Sequence, residues 1–177
     1  MRKFLSALWG MLLFLPAFAQ GKGGIALLDK VEGRRVRFHY TYSLSQDGAA
    51  FRDITDGEVT LEGNAYTLEG LGLKVYSDGQ TRWTLDPEAR ELVVETVTQE
   101  DLFTNPALFI ASYKQYMDRI KVNSQKADAL DVTLTLDEDT RARFVLSRIA
   151  FDAPQGKSDF SLSEKSLPEG YVITDLR

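Results

Sequence analysis

The sequence predicts a mainly β protein of the α+β class, in which a curved antiparallel sheet forms an unclosed half-barrel that two helices cover or plug. Three observations indicate this fold. Residues 36–44 alternate between apolar and polar side chains, further short strand-like segments follow up to residue 97, and residues 105–120 carry apolar side chains at helical spacing. A sheet of roughly nine or ten short strands tends to curl or close. Helices laid against its apolar face would bury that face.

The first elements are a short helix and a half-buried strand. Ile25, Leu28 and Val31 recur at helical spacing before Gly33, which predicts one short helix. Every second residue is then apolar along residues 36–44, as in a strand with one face in the core. The apolar positions of this strand are Val36, Phe38, Tyr40, Tyr42 and Leu44.

A series of closely spaced strands follows. We predict strands at residues 58–61, 65–68, 71–76, 81–85 and 91–97. Asp78 and Gly79 lie between two of them, and an Asp-Gly pair favours the positive φ angles of a tight hairpin. Because no helix-length segment intervenes, the pattern predicts an antiparallel meander rather than parallel strands joined by helices.

One long helix is predicted in the second half of the chain. Thr104 or Asn105 can cap it, and Pro106 suits the first helical position, where no amide hydrogen bond is lost. Its apolar face consists of Phe109, Tyr113, Tyr116 and Ile120. Strands resume at residues 130–136 and 141–149, with a short alternation at Phe160 and Leu162 and a terminal strand at residues 171–173.

Residues 1–19 have the features of a cleavable signal peptide. Arg2 and Lys3 precede an apolar stretch at residues 4–15, Pro16 interrupts it, and residues 17–19 form a small-x-small cleavage site. A retained membrane anchor is the alternative, but the stretch is shorter than the roughly 20 residues that a spanning helix needs. We therefore expect residues 20–177 to form a single soluble domain that works outside the cytoplasm. The chain has no cysteine that could carry a lipid anchor.

The charge and the residue counts exclude several classes of function. The formal net charge is −5, and loss of the two positive charges of Arg2 and Lys3 would make it −7, which disfavours binding to nucleic acid and to anionic lipid. The chain has no cysteine and one histidine, His39, so thiol catalysis and multi-histidine metal sites are excluded. We expect a monomer with no cofactor, no metal and no nucleic-acid partner.

Two segments carry turn and strand motifs in a recognisable order. In residues 63–87 a strand is followed by Ser77-Asp78-Gly79, by a strand that contains Trp83 and by an Asp-Pro turn. In residues 160–177 a Phe-Ser-Leu segment is followed by Pro-Glu-Gly-Tyr-Val and by a final Asp-Leu-Arg. These motifs resemble the LolA family, the periplasmic carriers of outer-membrane lipoproteins, and the pattern is most similar to the short LolA-like chaperones of the Bacteroidetes type. These are turn and strand motifs, so they indicate fold more than function.

The resemblance implies that the inside of the curved sheet accepts the acyl chains of outer-membrane lipoproteins, with the helices as a lid. The implied partners are those lipoproteins, an inner-membrane ABC-type release complex and an outer-membrane receptor. For any single lining residue, ordinary core is the commoner explanation, because an apolar face is what a core requires. No lid-latching arginine is carried over, because residues 66–69 replace the Arg-Pro pair of the larger carriers. The candidate lining residues are Phe38, Tyr40, Tyr42, Leu73, Val75, Trp83, Leu85, Phe109, Tyr113 and Tyr116.

Two other classes of function remain open. A scaffolding domain with a filled core and no ligand would show every pattern above. A hydrolase would need His39 as its base, but His39 lies on the polar face of its strand and the chain has no Gly-x-Ser-x-Gly motif. Residues 137–139 are acidic, yet they lack the spacing of an EF-hand and fit a hairpin turn. We therefore predict a carrier rather than an enzyme.

Overall fold

The computed structural model describes residues 25–98 and 105–177. The predicted signal peptide and Thr104 lie outside these residues. The described part contains ten strands in one sheet and one short α-helix, α1 (Pro106–Ser112). The strands are β1 (Arg35–Gln46), β2 (Arg52–Glu62), β3 (Ala65–Gly70), β4 (Leu73–Ser77), β5 (Thr81–Asp86), β6 (Glu91–Thr96), β7 (Ile120–Gln125), β8 (Leu130–Thr135), β9 (Thr140–Asp152) and β10 (Val172–Asp175).

The sheet is a mostly antiparallel meander that does not close into a barrel. Its strand order is β10-β6-β5-β4-β3-β2-β1-β9-β8-β7, so β10 and β7 form its two edges. The mainly β class and the unclosed sheet confirm that part of the predicted architecture. The prediction of a wholly antiparallel sheet is wrong in one place, since β10 runs parallel to β6. A parallel neighbour needs a long crossover, and residues 153–171 provide it.

β1 lies near the middle of the sheet, between β2 and β9. Its alternate residues Val36, Phe38, Tyr40 and Tyr42 are each at most 4% exposed, and they define what we call the inner face. The opposite, outer face carries polar residues of the same strand, such as Arg37 and His39. The main core lies between the inner face and the helical segments, as the alternation predicts.

The helices are shorter than the sequence predicts. Asn105 caps α1 by accepting hydrogen bonds from the backbone N–H groups of Ala107 and Leu108, which confirms the cap. The helix ends at Ser112, a 3-10 turn follows at Tyr113–Tyr116, and β7 begins at Ile120, where a helix was expected to continue. Pairing of β7 with β8 satisfies the backbone hydrogen-bonding groups of this segment. Helix propensity is a local property and does not show such pairing.

Only one α-helix is present among the described residues, so the predicted pair of helices is not confirmed. The first predicted helix is a single 3-10 turn, Leu28–Val31. It ends before Gly33, whose φ is 71°. The helical segments cover part of the inner face but do not plug a closed barrel. No helix in the described ranges is long and apolar enough to cross a membrane.

Two further strand predictions are corrected. β2 extends from Arg52 to Glu62, well beyond the predicted residues 58–61, because it pairs with β1 along nearly its whole length. The alternation of Phe160 and Leu162 does not form a strand, since a 3-10 turn lies at Ser158–Phe160. Phe160 is fully buried, so its apolar character reflects packing outside the main core rather than strand pairing.

A second apolar cluster lies on the outer face at the β6 side of the sheet. Leu92 and Val94 are fully buried but do not belong to the main core. They lie opposite Leu85 and Trp83 of β5, and residues directly opposite one another in a sheet share a face. The crossover from β9 to β10 must pass β4, β5 and β6 to reach the edge of the sheet. Its passage over the outer face accounts for the burial of Leu92 and Val94.

Candidate functional site

The candidate lining residues separate into two groups on opposite faces of the sheet. Register pairs connect Tyr40 through Gly57 and Gly70 to Leu73, so Leu73 shares the inner face with Tyr40. Phe38 is connected in the same way to Val75. The inner-face group contains Phe38, Tyr40, Tyr42, Leu73 and Val75, and α1 with the following turn adds Phe109, Tyr113 and Tyr116.

Trp83 and Leu85 lie on the outer face. Trp83 is paired with Tyr76 and Val94, while Leu85 is paired with Lys74 and Leu92. Tyr76 and Lys74 flank Val75 in β4, so they point to the face opposite to it. The expectation that all ten candidates surround one space is therefore wrong for these two residues.

Aromatic stacking closes the inner face beneath α1. The Phe109 ring stacks on Phe144 of β9 at a centroid distance of 4.8 Å and an interplanar angle of 11°. The ring of Tyr42 lies 5.1 Å from the same Phe144 ring. The space nearby, between Leu28, Phe38 and Ile110, has a volume of about 10 Å³. A cavity needs roughly 10–15 Å³ to hold one water, so an acyl chain has no room there.

Tyr40 fills the space above two glycines. A Cβ on Gly57 would lie 1.8 Å from the carbonyl oxygen of Glu69 and 3.0 Å from a Tyr40 ring carbon. A Cβ on Gly70 would lie 2.6 Å from the Tyr40 hydroxyl. Burial raises the pKa of this hydroxyl above its ordinary value. Tyr40 is therefore a packing residue that depends on two glycines in neighbouring strands.

One hydrogen bond joins the two helical segments over the inner face. The Tyr113 hydroxyl donates to the carboxylate of Asp29 in the first 3-10 turn. The Lys114 ammonium lies 3.9 Å from the Asp29 carboxylate and 3.6 Å from Glu32. Burial and the bond to Asp29 raise the pKa of Tyr113. Any outward movement of α1 must break this contact or carry the first turn with it.

A continuous row of inner-face residues leads away from α1. Cross-strand pairs run from Phe38 through Val59, Leu68, Val75 and Thr84 to Val93, one residue from each of β1 to β6. Phe38 and Val59 are 1% and 2% exposed, whereas the other four are half-buried. We call these last four residues the inner-face row. Only Val75 was among the candidates, since alternation in β3 and β6 does not show which face is open.

The grooves of the outer face are mainly polar. One of about 340 Å³ is lined by Arg35, Asp152 and Asp159, and another of about 610 Å³ by Arg141, Arg143 and Glu138. His39 lies in a third groove, with its Nε2 3.4 Å from an Asp56 carboxylate oxygen. No group of three or more His, Cys, Asp or Glu side chains in the described ranges is arranged to hold a metal ion.

The acidic segment at residues 137–139 forms a turn, as predicted. An Asp137 carboxylate oxygen accepts hydrogen bonds from the backbone N–H groups of Asp139 and Thr140 at 2.9 and 2.8 Å. These bonds stabilise the charged form and lower the pKa of Asp137. The carboxylate therefore organises the hairpin between β8 and β9.

A buried arginine fastens the crossover to the sheet. Arg35 donates to Glu62 at 3.1 Å, to Asp159 at 2.9 Å and to Gln155 at 2.8 Å, and its side chain is 8% exposed. The guanidinium also lies 4.9 Å from the centroid of the Phe160 ring. No local sequence pattern indicates this cluster, because its members are up to 124 residues apart.

Comparisons with known proteins give only remote similarity. No family model matches the sequence, and no curated protein matches it. An uncharacterised conserved protein from Thermus thermophilus is 8% identical with a TM-score of 0.46, and the match covers 85% of this chain and 97% of that one. A LolA superfamily protein from Nitrosomonas europaea is 8% identical with a TM-score of 0.45, and the match covers 77% and 96% of the two chains. Similarity at this level assigns neither a family nor a function to this chain.

Proposed function

We propose that the protein is a periplasmic carrier that binds the acyl chains of lipoproteins, or a similar hydrophobic ligand, on the inner face of its sheet. The inner-face row carries this proposal. Its side chains continue the core past the edge of α1, yet Leu68, Val75 and Val93 stay half-buried. An apolar surface that is continuous with the core and partly open suits a flexible apolar ligand.

The closed contacts beneath α1 determine how such a ligand would be held. Phe109 and Phe144 occupy the space that the lipoprotein-carrier resemblance assigns to an acyl chain. A ligand therefore lies first along the inner-face row and enters further only when α1 moves outward. Opening and closing would then set affinity, because the ligand competes with the protein's own aromatic side chains.

Energetics require partners on both sides of the transfer. Burying about ten methylenes contributes roughly 8 kcal/mol relative to water. Relative to a bilayer the gain is near zero, because the acyl chain of the ligand already lies in hydrocarbon there. We therefore propose loading by an energy-coupled inner-membrane complex of ABC type and unloading to an outer-membrane receptor with higher affinity. The proposal includes no covalent chemistry and no cofactor.

A matched pair of variants tests the proposal. Purified protein is titrated with an environment-sensitive hydrophobic dye, and a triacylated peptide is then added as competitor. We expect Val93→Asp on the inner face to weaken dye binding about tenfold or more, since a carboxylate disfavours an apolar ligand. Val145→Asp, which changes a half-buried valine on the outer face, should leave binding unchanged. Equal effects of the two variants, or no displacement by the peptide, would contradict the proposal.

A scaffolding domain without a ligand is the second candidate. The observation that favours it is the close packing between the first 3-10 turn, β1 and α1, which leaves only about 10 Å³ of free space. This function predicts no dye uptake by the unmodified protein at any concentration below aggregation. Lipoproteins that co-purify with the protein from its own cell envelope would contradict it directly.

A further inference from the structure

The two edges of the sheet differ in their protection against pairing with another strand. β7 has an irregular register between Val122 and Ser124 and carries the exposed Lys121. Bulges and lysines are devices that discourage edge-to-edge pairing. β10 has a regular register with β6 and contains neither lysine nor proline. Its single charged residue, Asp175, is already paired with Arg177 at 2.6 Å.

The outer backbone groups of β10 are available for hydrogen bonding. The N–H of Val172 donates to Arg90 and the N–H of Leu176 donates to Val94, at 2.9 and 2.8 Å. Because successive residues of a strand point their backbone groups to opposite sides, those of Ile173 and Asp175 point away from β6. No strand of the described part pairs with that side.

Exposed apolar side chains surround these backbone groups. Val172, Ile173 and Leu176 are 63%, 43% and 64% exposed, and they are half of the six large hydrophobic residues that are exposed in the described ranges. Ile173 lies opposite Leu92 and therefore on the outer face, whereas Val172 lies on the inner face. A strand added beside β10 would cover apolar surface on both faces.

The charges near Val172 indicate the kind of strand that fits. Glu91 lies opposite Val172, and Asp86 lies opposite Glu91. Glu88 and Glu169 are close in sequence to these residues, and none of the four carboxylates forms an ion pair within the described ranges. Arg90 is also at this end, with its guanidinium 3.7 Å from the position of a Cβ on Gly170, so four carboxylates outnumber one basic side chain. A second copy of this chain, with its net charge of −5, would bring like charges together. A basic segment would be attracted.

We propose that the free edge of β10 is a docking site for an extended segment of a partner protein, which adds an eleventh strand to the sheet. The segment alternates apolar residues and carries basic residues at the end that lies beside Val172. Main-chain hydrogen bonds to Ile173 and Asp175 give affinity, and the apolar and basic side chains give specificity. The added strand would lie one strand beyond the end of the inner-face row, because Thr174 of β10 is paired with Val93.

Synthetic peptides test the backbone contribution. The probe is a labelled peptide of alternating valine and threonine with two lysines at one end, and its binding to the purified protein is followed by fluorescence anisotropy. Two further peptides carry N-methyl groups on the odd or on the even amides, so that each loses the donors on one edge. We expect one of these two to bind about tenfold more weakly and the other to bind normally. Replacing the lysines with glutamates should also weaken binding.

A protein variant tests the same bond from the other side. Ile173→Pro removes the outward N–H but leaves the bonds from Val172 and Leu176 to β6 in place, and proline is tolerated where a strand's N–H faces solvent. We expect about a tenfold loss of peptide affinity. The matched variant Ile173→Thr keeps the N–H and should lose much less. Circular dichroism checks the fold, and if the proline variant does not fold, the methylated peptides decide.

Three results would overturn the proposal. Equal binding of all N-methylated and unmodified peptides would show that no strand is added. Equal binding of the lysine and glutamate peptides would remove the assignment of a basic partner. A dimer of the protein in analytical ultracentrifugation that Ile173→Pro abolishes would assign the edge of β10 to a second copy of this chain instead.

Discussion

The hydroxyl of Tyr113 donates a hydrogen bond to the carboxylate of Asp29, and this bond joins the turn after α1 to the first 3-10 turn of the described chain. The two segments are 84 residues apart in sequence. They contact the inner face at different places, yet the bond makes them one cover. Movement of that cover is the event on which the proposed carrier function depends.

Removing this bond should loosen the cover without unfolding the protein. For Tyr113→Phe we expect the free energy of unfolding to fall by about 1.5 kcal/mol, the low end for a hydrogen bond to a charged group, because Asp29 is partly exposed. Hydrogen exchange of the α1 amides should become faster. The control is Lys114→Met, which removes only exposed ion pairs and should change the free energy of unfolding by less than about 0.5 kcal/mol.

The same tyrosine predicts a dependence on alkaline pH. Its pKa is raised in the folded state, so the folded protein holds the phenolic proton more tightly than the unfolded chain does. The resulting stability is complete below the unfolded pKa of about 10 and is lost as the pH rises above it. Urea unfolding between pH 8 and about 11 should show a shallower decline for Tyr113→Phe. Identical slopes would contradict the buried, hydrogen-bonded hydroxyl.

The two glycines beneath Tyr40 should respond differently to alanine. Gly57→Ala brings Cβ against the Glu69 backbone, so we expect a loss of about 3 kcal/mol or more that Tyr40→Phe does not restore. Gly70→Ala meets mainly the Tyr40 hydroxyl, so the loss should shrink in the Tyr40→Phe background. A double-mutant cycle by urea unfolding measures the coupling. Equal costs of Gly70→Ala in both backgrounds would refute the contact.

The stacked ring of Phe109 should be the most important side chain of α1. Phe109 is fully buried, so Phe109→Ala should lower the free energy of unfolding by about 3–5 kcal/mol. Leu108 next to it is only half-buried, and Leu108→Ala should cost clearly less. If the variant remains folded, the space left above Phe144 should increase dye uptake. Comparable costs of the two substitutions would mean that α1 is not packed as described.

The crossover should detach from the sheet at low pH. Backbone N–H groups of Gln155 and Gly156, followed by Arg35, lower the pKa of Glu62, and Arg35 lowers that of Asp159. Lowered pKa values in the folded state give stability that is present above the unfolded values of about 4 and is lost as the pH falls below them. Limited proteolysis within residues 153–171 should therefore increase below about pH 4. Arg35→Met should show this cleavage already at neutral pH.

Local patterns predicted the inner face well. The alternation of Phe38, Tyr40 and Tyr42 fixes which side chains lie together, because the side-chain period of a strand is two wherever the strand is placed. The cap at Asn105 was also predictable, since asparagine is a preferred N-cap residue and Pro106 suits the first helical position. The length of α1 was not predictable, because the backbone from Ile120 onward is a strand that pairs with β8, and this pairing depends on residues distant in sequence.

The sequence by itself determined the class of the protein, the apolar residues of β1 and the turns between the early strands. Only the tertiary structure decided which face each later strand turns to the core. Alternation shows that Trp83 and Leu85 share a face. The register with β4 and β6 places them on the outer face, on the other side of the sheet from Phe38. The pairing of β10 with β6 and the Arg35 cluster also depend on contacts between residues far apart in sequence. The alternation of side chains along a strand has the same period of two whichever face of the sheet is covered. Which face is buried therefore depends on the segments that pack against it.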